Sequence, residues 1–309
     1  MTISLVAALT GAARAEKSNQ IRPTPSPLTT TRIEPWGLTV TPRFIFTSYS
    51  DELTIPDLPG QVQKYQIYST GVAVEAQLGV ARWASVELGL EGYQKLGSIT
   101  GPSPGDPTQL AEAEITGNAF KFAFQGQVRF FKWEREESAE GNLARPGDFA
   151  FYLFARGIGD FFSQKQYEPL FHTDFQENSI EYRTGLVGQV HLLKGVYLIG
   201  FGGIDGVWFT GSRRDTTETE EEIVNLGGSE LPYPFFGFDI LWSPSSVFES
   251  SVNDALSLGA ILAMTREDEQ GFGGNVWTIN LSYTFRFSFG PESKSAPPSG
   301  PAPPSPPAN

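Results

Sequence analysis

Apolar and polar residues alternate one by one over most of the chain between Trp36 and Gly290. In residues 118–133, for example, Phe120, Phe122 and Phe124 alternate with Lys121, Ala123 and Gln125. Residues 276–289 repeat the pattern with aromatic and aliphatic residues at odd positions and Thr, Asn, Ser and Arg at even positions. Because successive side chains of a β-strand point to opposite faces, this period of two predicts strands.

The alternation predicts ten strands, over residues 37–49, 65–80, 84–97, 118–133, 148–163, 179–193, 196–210, 232–243, 255–266 and 275–289. They are longer than the 5–6 residues common in soluble sheets, and they are long enough to cross a bilayer at a tilt. The predicted connections fall into two groups. Connections 81–83, 134–147, 194–195 and 243–254 include the two tightest turns, whereas connections 50–64, 98–117, 164–178 and 211–231 are long. This sorting is typical of a membrane barrel with short turns on one side and long loops on the other.

Two architectures fit such strands: a soluble sandwich with its apolar face inward, or a membrane barrel with its apolar face toward lipid. The polar faces carry both signs of charge, which a sandwich would expose to water and a barrel would pair across its lumen. These candidate lumen residues are Glu75, Glu87, Glu91, Lys121, Arg129, Arg156, Glu181, Arg183 and Arg286. All six Trp residues lie at or near predicted strand ends, where a barrel meets the membrane–water interface. The sequence therefore favours an all-β antiparallel barrel.

Composition excludes several other classes. The 309 residues carry a net charge of −13 and include no Cys and two His, so we expect no disulfide, no Cys-ligated or multi-His metal site and no cofactor. No uncharged apolar run reaches the length of about 18 residues that a membrane-spanning helix needs. A pI near 4.7, without a dense Lys/Arg stripe, argues against nucleic acid as a partner.

The two ends of the chain differ from its middle. Residues 3–13 are apolar and lead to Ala13-Arg14-Ala15, which predicts a signal peptide over 1–15. No basic segment precedes it, so we expect the natural start to lie upstream of Met1. Residues 16–35 are polar and contain Pro, as a linker does, and residues 291–309 form a Pro-rich tail that predicts an extended, disordered segment. Residues 36–290 are left as the barrel domain.

The last predicted strand resembles the final strand of bacterial outer-membrane β-barrel proteins. Tyr283, Phe285, Phe287 and Phe289 alternate with polar residues there, and in that class such a strand, ending in Phe, is read by the barrel-insertion machinery. The resemblance covers residues 36–290 and is to the class, without a subfamily. It implies a transmembrane up-and-down barrel of about ten strands in the bacterial outer membrane, with periplasmic termini and with membrane lipid and the insertion machinery as partners.

The sequence leaves three functions open. The first is an anchor or scaffold subunit of an envelope assembly, whose tail 291–309 docks a periplasmic or cell-wall protein. The second is a narrow channel for ions or small solutes, since a ten-stranded barrel is slightly wider than the eight-stranded size that side chains fill. The third is a hydrolase at the rim, using His172 and Asp174 in a predicted loop. Because an isolated His-x-Asp is more often coincidental than catalytic, we expect no enzyme.

Two further motifs have structural interpretations. Gly200, Gly202, Gly203 and Gly206 lie within a predicted strand with no helix after them, which predicts close packing or a kink and no phosphate loop. The acidic residues Asp215, Glu218, Glu220, Glu221 and Glu222 lack the spacing of a calcium loop and are expected in a solvated loop.

Overall fold

The computed structural model describes residues 35–54, 62–102, 109–135, 145–168, 171–216, 221–243, 254–264 and 275–288. These residues form ten strands: β1 (Gly37–Thr54), β2 (Val62–Ala81), β3 (Ala84–Pro102), β4 (Leu110–Trp133), β5 (Phe149–Glu168), β6 (Phe171–Leu193), β7 (Val196–Thr216), β8 (Glu221–Trp242), β9 (Asp254–Met264) and β10 (Asn275–Ser288). Each strand pairs antiparallel with its neighbours in sequence, and β1 pairs with β10 to close the barrel. The predicted all-β up-and-down barrel is confirmed, and the sandwich is excluded. The predicted signal peptide, linker and tail lie outside the described residues, apart from residue 35.

Burial is inverted relative to a soluble protein. On β10, Trp277 and Leu281 are 54% and 46% exposed, whereas Asn280 and Ser282 are 1% and 3% exposed. On the other strands, too, large apolar side chains cover the outer face, and the buried charged side chains all lie inside, together with two clusters of apolar ones. Lipid rather than water is the solvent that suits this outer face, because large contiguous apolar surfaces are rare on soluble monomers.

The Trp side chains are exposed on the barrel near both of its ends. Trp36, Trp83, Trp133 and Trp242 lie at the end that carries Gly37 and Ser288, here called the terminal rim. Trp208 and Trp277 lie toward the other end, here called the opposite rim. Trp208 is not at a strand end as predicted, because β7 continues to Thr216. Two such groups match the two interfaces of a bilayer.

Strands β1 to β8 extend beyond their predicted bounds, and they do so mainly toward the opposite rim. The predicted long loops 50–64, 98–117, 164–178 and 211–231 are therefore wrong: β4 already begins at Leu110, β8 begins at Glu221, and only residues 169–170 separate β5 from β6. In the extension of β4 the alternation is reversed, because Ala113 and Ile115 are buried inside while Glu112 and Glu114 face outward. In other extensions both faces are largely polar, and the alternation is lost. On β6, for example, Gln176 and Asn178 face outward while Glu177 and Ser179 face inward. Backbone pairing continues although the hydropathy pattern stops.

Strands β6 and β7 approach each other closely at two glycines. Gly185 and Gly203 are directly paired, and a Cβ atom added to Gly203 would lie 2.1 Å from the Thr184 carbonyl oxygen. Gly206 is covered by the ring of Tyr182, which lies 2.5 Å from where its Cβ would be. The close-packing interpretation is confirmed for Gly203 and Gly206, but not for Gly200, which has no heavy atom within 4 Å of a built Cβ.

Asp148 forms hydrogen bonds with both ends of the long connection between β4 and β5. Its buried carboxylate accepts hydrogen bonds from the backbone N–H groups of Arg135 (3.4 Å) and Arg145 (2.8 Å), on either side of residues 136–144. The backbone carbonyl of Asp148 also accepts a hydrogen bond from the His191 N–H (2.9 Å). One side chain therefore holds both ends of the connection at the terminal rim.

Replacing Asp148 with Ala is expected to destabilise the barrel by about 1–3 kcal/mol, because two backbone donors lose their acceptor. The free energy of unfolding in urea, measured in lipid vesicles, checks this. Asp148→Asn is the matched control, since its one amide oxygen retains one of the two bonds and should recover part of the loss. Equal stability of Asp148→Ala and the unmodified protein would contradict this role.

Candidate functional site

Polar side chains meet at mid-height in the lumen and form two chains of ion pairs. In the first chain, Arg43 Nη2 lies 2.6 Å from Glu75 Oε2, and Arg156 Nη2 lies 3.1 Å from Glu75 Oε1. Arg156 Nη1 also donates to Glu87 Oε1 at 3.3 Å. Arg156 projects from β5, whereas Glu75 and Glu87 project from β2 and β3, so this contact reaches across the lumen.

The second chain runs along the neighbouring strands β4 to β7. Lys121 Nζ lies 3.8 Å from Asp160 Oδ2 and 3.6 Å from Glu181 Oε1. Arg183 pairs with Glu181 at 3.3 Å and with Asp205 at 2.7 Å. Glu91 is buried and lies directly opposite Lys121 in the β3–β4 ladder. We call this set the charge layer: Arg43, Glu75, Glu87, Glu91, Lys121, Arg156, Asp160, Glu181, Arg183 and Asp205.

Apolar side chains fill the lumen on both sides of the charge layer. Tyr152, Tyr197 and Leu241 belong to a buried cluster on β5 to β9 that lies mainly toward the terminal rim. A second cluster, which includes Tyr65 and Ile115, lies toward the opposite rim on β1 to β4 and β10. The barrel interior is therefore packed with side chains along much of its length.

The structure brings most of the predicted lumen residues together in the charge layer. These are Glu75, Glu87, Glu91, Lys121, Arg156, Glu181 and Arg183. Arg129 lies apart from them, half-buried toward the terminal rim, where it hydrogen-bonds the Tyr152 side chain. Arg286 lies opposite Thr39 in the β1–β10 ladder, and its side chain is outside the described residues.

Sequence reasoning missed Arg43, Asp160 and Asp205, all members of the charge layer. Arg43 has the parity of the buried Thr41 and Thr47, and Asp160 has the parity of Arg156. The alternation was thus a sufficient signal for these two residues. Asp205 was harder to assign, because Gly202, Gly203 and Gly206 interrupt the pattern around it.

Short hydroxyl side chains line the lumen where the barrel closes. Thr41 and Thr284 share a hydrogen bond of 3.0 Å, Thr47 and Thr278 share one of 3.0 Å, and Ser257 and Ser282 share one of 2.6 Å. We call these six residues on β1, β9 and β10 the hydroxyl wall. The neighbouring Asn280 is 1% exposed, and neither polar atom of its side chain has a partner among the described residues. Such an orphaned amide is a site for internal water.

The other candidates lie on strands rather than in loops. His172 Nε2 lies 3.1 Å from Asp174 Oδ1 on the outward face of β6, which corrects their predicted loop position. Asp215, predicted in a solvated loop, is buried on β7 and accepts hydrogen bonds from Arg213 (2.8 Å) and Thr173 (2.9 Å). Glu221 and Glu222 begin β8, and Glu218 and Glu220 lie outside the described residues.

On the last strand, the candidate insertion signal faces lipid. Phe285 and Phe287 are 43% and 48% exposed, and the ring of Tyr283 packs against Phe285 with 4.9 Å between centroids. Phe289 lies outside the described residues. No helix in the described part of the chain is long and apolar enough to cross a membrane. Nor do three or more His, Asp or Glu side chains converge on a metal site among the same residues.

Comparisons with known proteins add the following findings. No family model and no curated protein matches the chain. Among solved structures, the translocator domain of the autotransporter NalP from Neisseria meningitidis is 10% identical, covers 91% of this chain and 96% of its own, and has a TM-score of 0.42. Ail from Yersinia pestis is 10% identical over 82% of this chain and 100% of its own, with a TM-score of 0.31. OprG from Pseudomonas aeruginosa is 11% identical, covers 84% of this chain and 100% of its own, and has a TM-score of 0.33.

Three features of the chain itself decide its class. The sheet closes without a free edge, the outer face is apolar between two groups of Trp residues, and the charges lie inside. In a bilayer, a β-structure must close in this way because unpaired backbone groups cannot be solvated by lipid. The chain therefore has the architecture of a transmembrane β-barrel protein.

Proposed function

We propose that this protein is an outer-membrane anchor or scaffold whose lumen is closed in the resting state. The observation that carries the proposal is the contact of Arg156 with both Glu75 and Glu87 across the lumen. These side chains are only 1–3% exposed, so they fill the middle of the barrel. A packed interior supplies rigidity and leaves the rims and outer face for contacts with partners.

Opening the charge layer is energetically costly. Removing one partner from a buried ion pair costs about 3–5 kcal/mol because the other charge is left uncompensated. A conformation that withdraws Arg156 from both carboxylates pays a comparable penalty. At such a cost the open state is populated below about 1%, which favours a scaffold over a diffusive pore.

Planar-bilayer recording tests the closed lumen. We expect the unmodified protein to give no stable single-channel steps. The double variant Arg156→Ala/Glu87→Ala removes one positive and one negative charge together, so the net charge of the layer is unchanged while its central contact is lost. This variant is expected to conduct, and Arg214→Ala/Glu221→Ala, which removes an exposed pair, is the matched control. Reproducible steps from the unmodified protein would contradict a closed lumen.

A narrow channel is the second candidate, and the hydroxyl wall favours it. Its short polar side chains follow β10 through the layer occupied by membrane, and the orphaned Asn280 amide offers a place for water beside them. The same recordings separate the two candidates. Steps in the unmodified protein that disappear in Ser282→Leu would assign conduction to this wall.

The proposed placement has periplasmic termini and a docking role for residues 291–309. An even number of strands puts the start of the first strand and the end of the last strand on the same side of the membrane. This supports placing the linker and the tail on that one side. Co-purification from native outer membranes, with the full chain and with a chain ending at residue 290, tests the tail. Identical partner lists would remove its docking role.

The proposed role is non-enzymatic. His172 and Asp174 lie side by side on an outward strand face, with Lys165 Nζ 3.9 Å from the same carboxylate, and this arrangement is that of a surface ion-pair group. If the protein hydrolyses a lipid or peptide substrate and His172→Ala abolishes that activity, the rim hydrolase replaces this proposal.

A further inference from the structure

Among the described residues, the part of β8 nearest the opposite rim has a partner strand on one side only. Pairing of β8 with β9 begins at Phe235, opposite Ala263, whereas pairing of β8 with β7 continues as far as Glu221. Within the described part of the chain, residues 221–228 therefore have no partner on the β9 side. We call residues 221–228 the free edge.

The free edge lies beyond the membrane. In the β7–β8 ladder, Trp208 lies opposite Ser229, and Trp208 belongs to the Trp group toward the opposite rim. The free edge continues from that level away from the lipid. Lipid cannot satisfy the backbone groups of an unpaired strand edge, but water or another protein can.

Side chains along the free edge are open to solvent on both faces of β8. On the outer face, Ile223 is 57% exposed. Glu222 lies opposite the buried Asp215 in the β7–β8 ladder and so belongs to the inner face, yet it is exposed. A partner strand can therefore approach this edge.

The outer-face residues of β8 direct their backbone groups away from β7. At the other end of β8, the inner-face Ser243 donates its N–H to the Gly195 carbonyl beside β7 (2.7 Å). Successive residues of a strand alternate in face and in the side to which N–H and C=O point, so outer-face residues point toward β9. On the free edge, the residues that offer these groups to an added strand are Glu221, Ile223, Asn225 and Gly227.

Carboxylates outnumber cations around the free edge when every basic residue is counted. Residues 213–230 carry six acidic and two basic side chains, and residues 265–274 carry three acidic and one basic side chain. Arg213 already pairs with Asp215 at 2.7 Å, and Arg214 pairs with Glu221 at 3.1 Å. The remaining carboxylates favour a strand that carries Lys or Arg and disfavour an acidic one.

We propose that the free edge binds an extended segment of another protein that carries Lys or Arg, and that this segment adds to the sheet as a strand beside β8. The outward backbone groups supply its hydrogen bonds, Ile223 supplies an apolar contact, and the excess carboxylates select its charge. The binding does not depend on whether the lumen is closed or conducts.

Fluorescence anisotropy of a labelled eight-residue peptide of alternating Lys and Val, titrated with the full chain in nanodiscs, tests the proposal. We expect about tenfold tighter binding than for the same peptide with Glu in place of Lys. Methylating the backbone nitrogens on the pairing side of the Lys peptide should abolish binding, because it retains the charge and blocks strand pairing. Equal binding of the methylated and unmethylated peptides would show charge attraction alone and overturn the added strand.

Variants of the chain separate the backbone contribution from the charge. Asn225→Pro removes one N–H from the free edge and leaves the donors to β7 in place, so it should weaken binding of the Lys peptide by about tenfold. Asn225→Ala should bind like the unmodified protein. Glu221→Gln/Glu222→Gln should remove much of the preference for Lys over Glu. Glu112→Gln/Glu114→Gln removes two exposed carboxylates from β4 at the same rim and should retain the preference.

Four results with folded protein would overturn the proposal. The first is unchanged binding by Asn225→Pro, and the second is a loss of preference in the β4 variant as full as in Glu221→Gln/Glu222→Gln. Peptide binding that occurs only after residues 266–273 are shortened would show that the chain's own connection covers the edge. A dimer in analytical ultracentrifugation that Asn225→Pro abolishes would assign the edge to a second copy of the chain.

Discussion

Replacing Glu75 with Ala is expected to destabilise the barrel by about 3–5 kcal/mol, because it leaves two buried guanidinium groups without their shared partner. Glu75 binds Arg43 through one oxygen and Arg156 through the other, and all three side chains are at most 3% exposed. The free energy of unfolding in urea, measured in lipid vesicles, gives the magnitude. On SDS gels, the loss of the heat-modifiable band of folded barrel from unboiled samples gives the direction of the change in stability.

Two controls isolate the buried pair. Glu221→Ala removes a carboxylate that pairs with Arg214 at 3.1 Å while both side chains are more than half exposed, so its effect should stay below about 1 kcal/mol. Glu75→Met/Arg43→Met removes the carboxylate together with one arginine, and Arg156 keeps Glu87. This double variant should recover part of the loss. An effect of Glu75→Ala no larger than that of Glu221→Ala would show that the charge layer contributes little to stability.

Replacing Gly203 with Val is expected to prevent the barrel from closing correctly between β6 and β7, with a loss of more than about 3 kcal/mol. Its Cβ would lie 2.1 Å from the Thr184 carbonyl oxygen and 2.8 Å from the Gly185 Cα. Both are backbone atoms of the neighbouring strand, so the strands must separate and break their hydrogen-bond ladder. The yield of folded barrel on refolding into detergent and the free energy of unfolding measure the effect.

Gly200→Val is the matched control, because it makes the same substitution three residues earlier on β7. Gly200 is exposed and has no heavy atom within 4 Å of a built Cβ, so the added side chain enters lipid. Its stability should change by no more than about 0.5 kcal/mol. Equal tolerance of Val at both glycines would contradict the close approach of the two strands.

Most of the fold could be predicted because the bilayer imposes a simple rule on the sequence. Where a strand crosses lipid, its outer residues must be apolar, whereas its inner residues are free to be polar, so the parity of Ile279 and Asn280 is visible in the sequence alone. Beyond the membrane, water contacts the outer face and this constraint ends. The extension of β8 therefore left no hydropathy pattern, and in that of β4 the pattern is reversed, with Ala113 and Ile115 inside and Glu112 and Glu114 outside, although both backbones remain paired.

The candidate site was only partly predictable for a different reason. The alternation along β4 and β5 shows that Lys121 and Arg156 point into the lumen. Which carboxylates they pair with depends on the strand register and the barrel width, and the sequence around each residue does not specify these. Arg156 reaches Glu75 on β2 although β3 and β4 lie between these strands in the sheet. Arg129 has lumen parity and yet lies outside the charge layer, because its position along β4 places it toward the terminal rim.

Nitroxide scanning of β10 tests the central claim, that the apolar face contacts lipid and the polar face lines a closed lumen. Since the chain has no Cys, single Cys substitutions from Thr278 to Phe285 can each carry one spin label in vesicles. Collisions with dissolved oxygen, which concentrates in lipid, should be high at Ile279, Leu281 and Phe285 and low at Asn280, Ser282 and Thr284. High collision rates at Asn280, Ser282 and Thr284 with low rates at their neighbours, or rates that do not alternate along β10, would contradict the account.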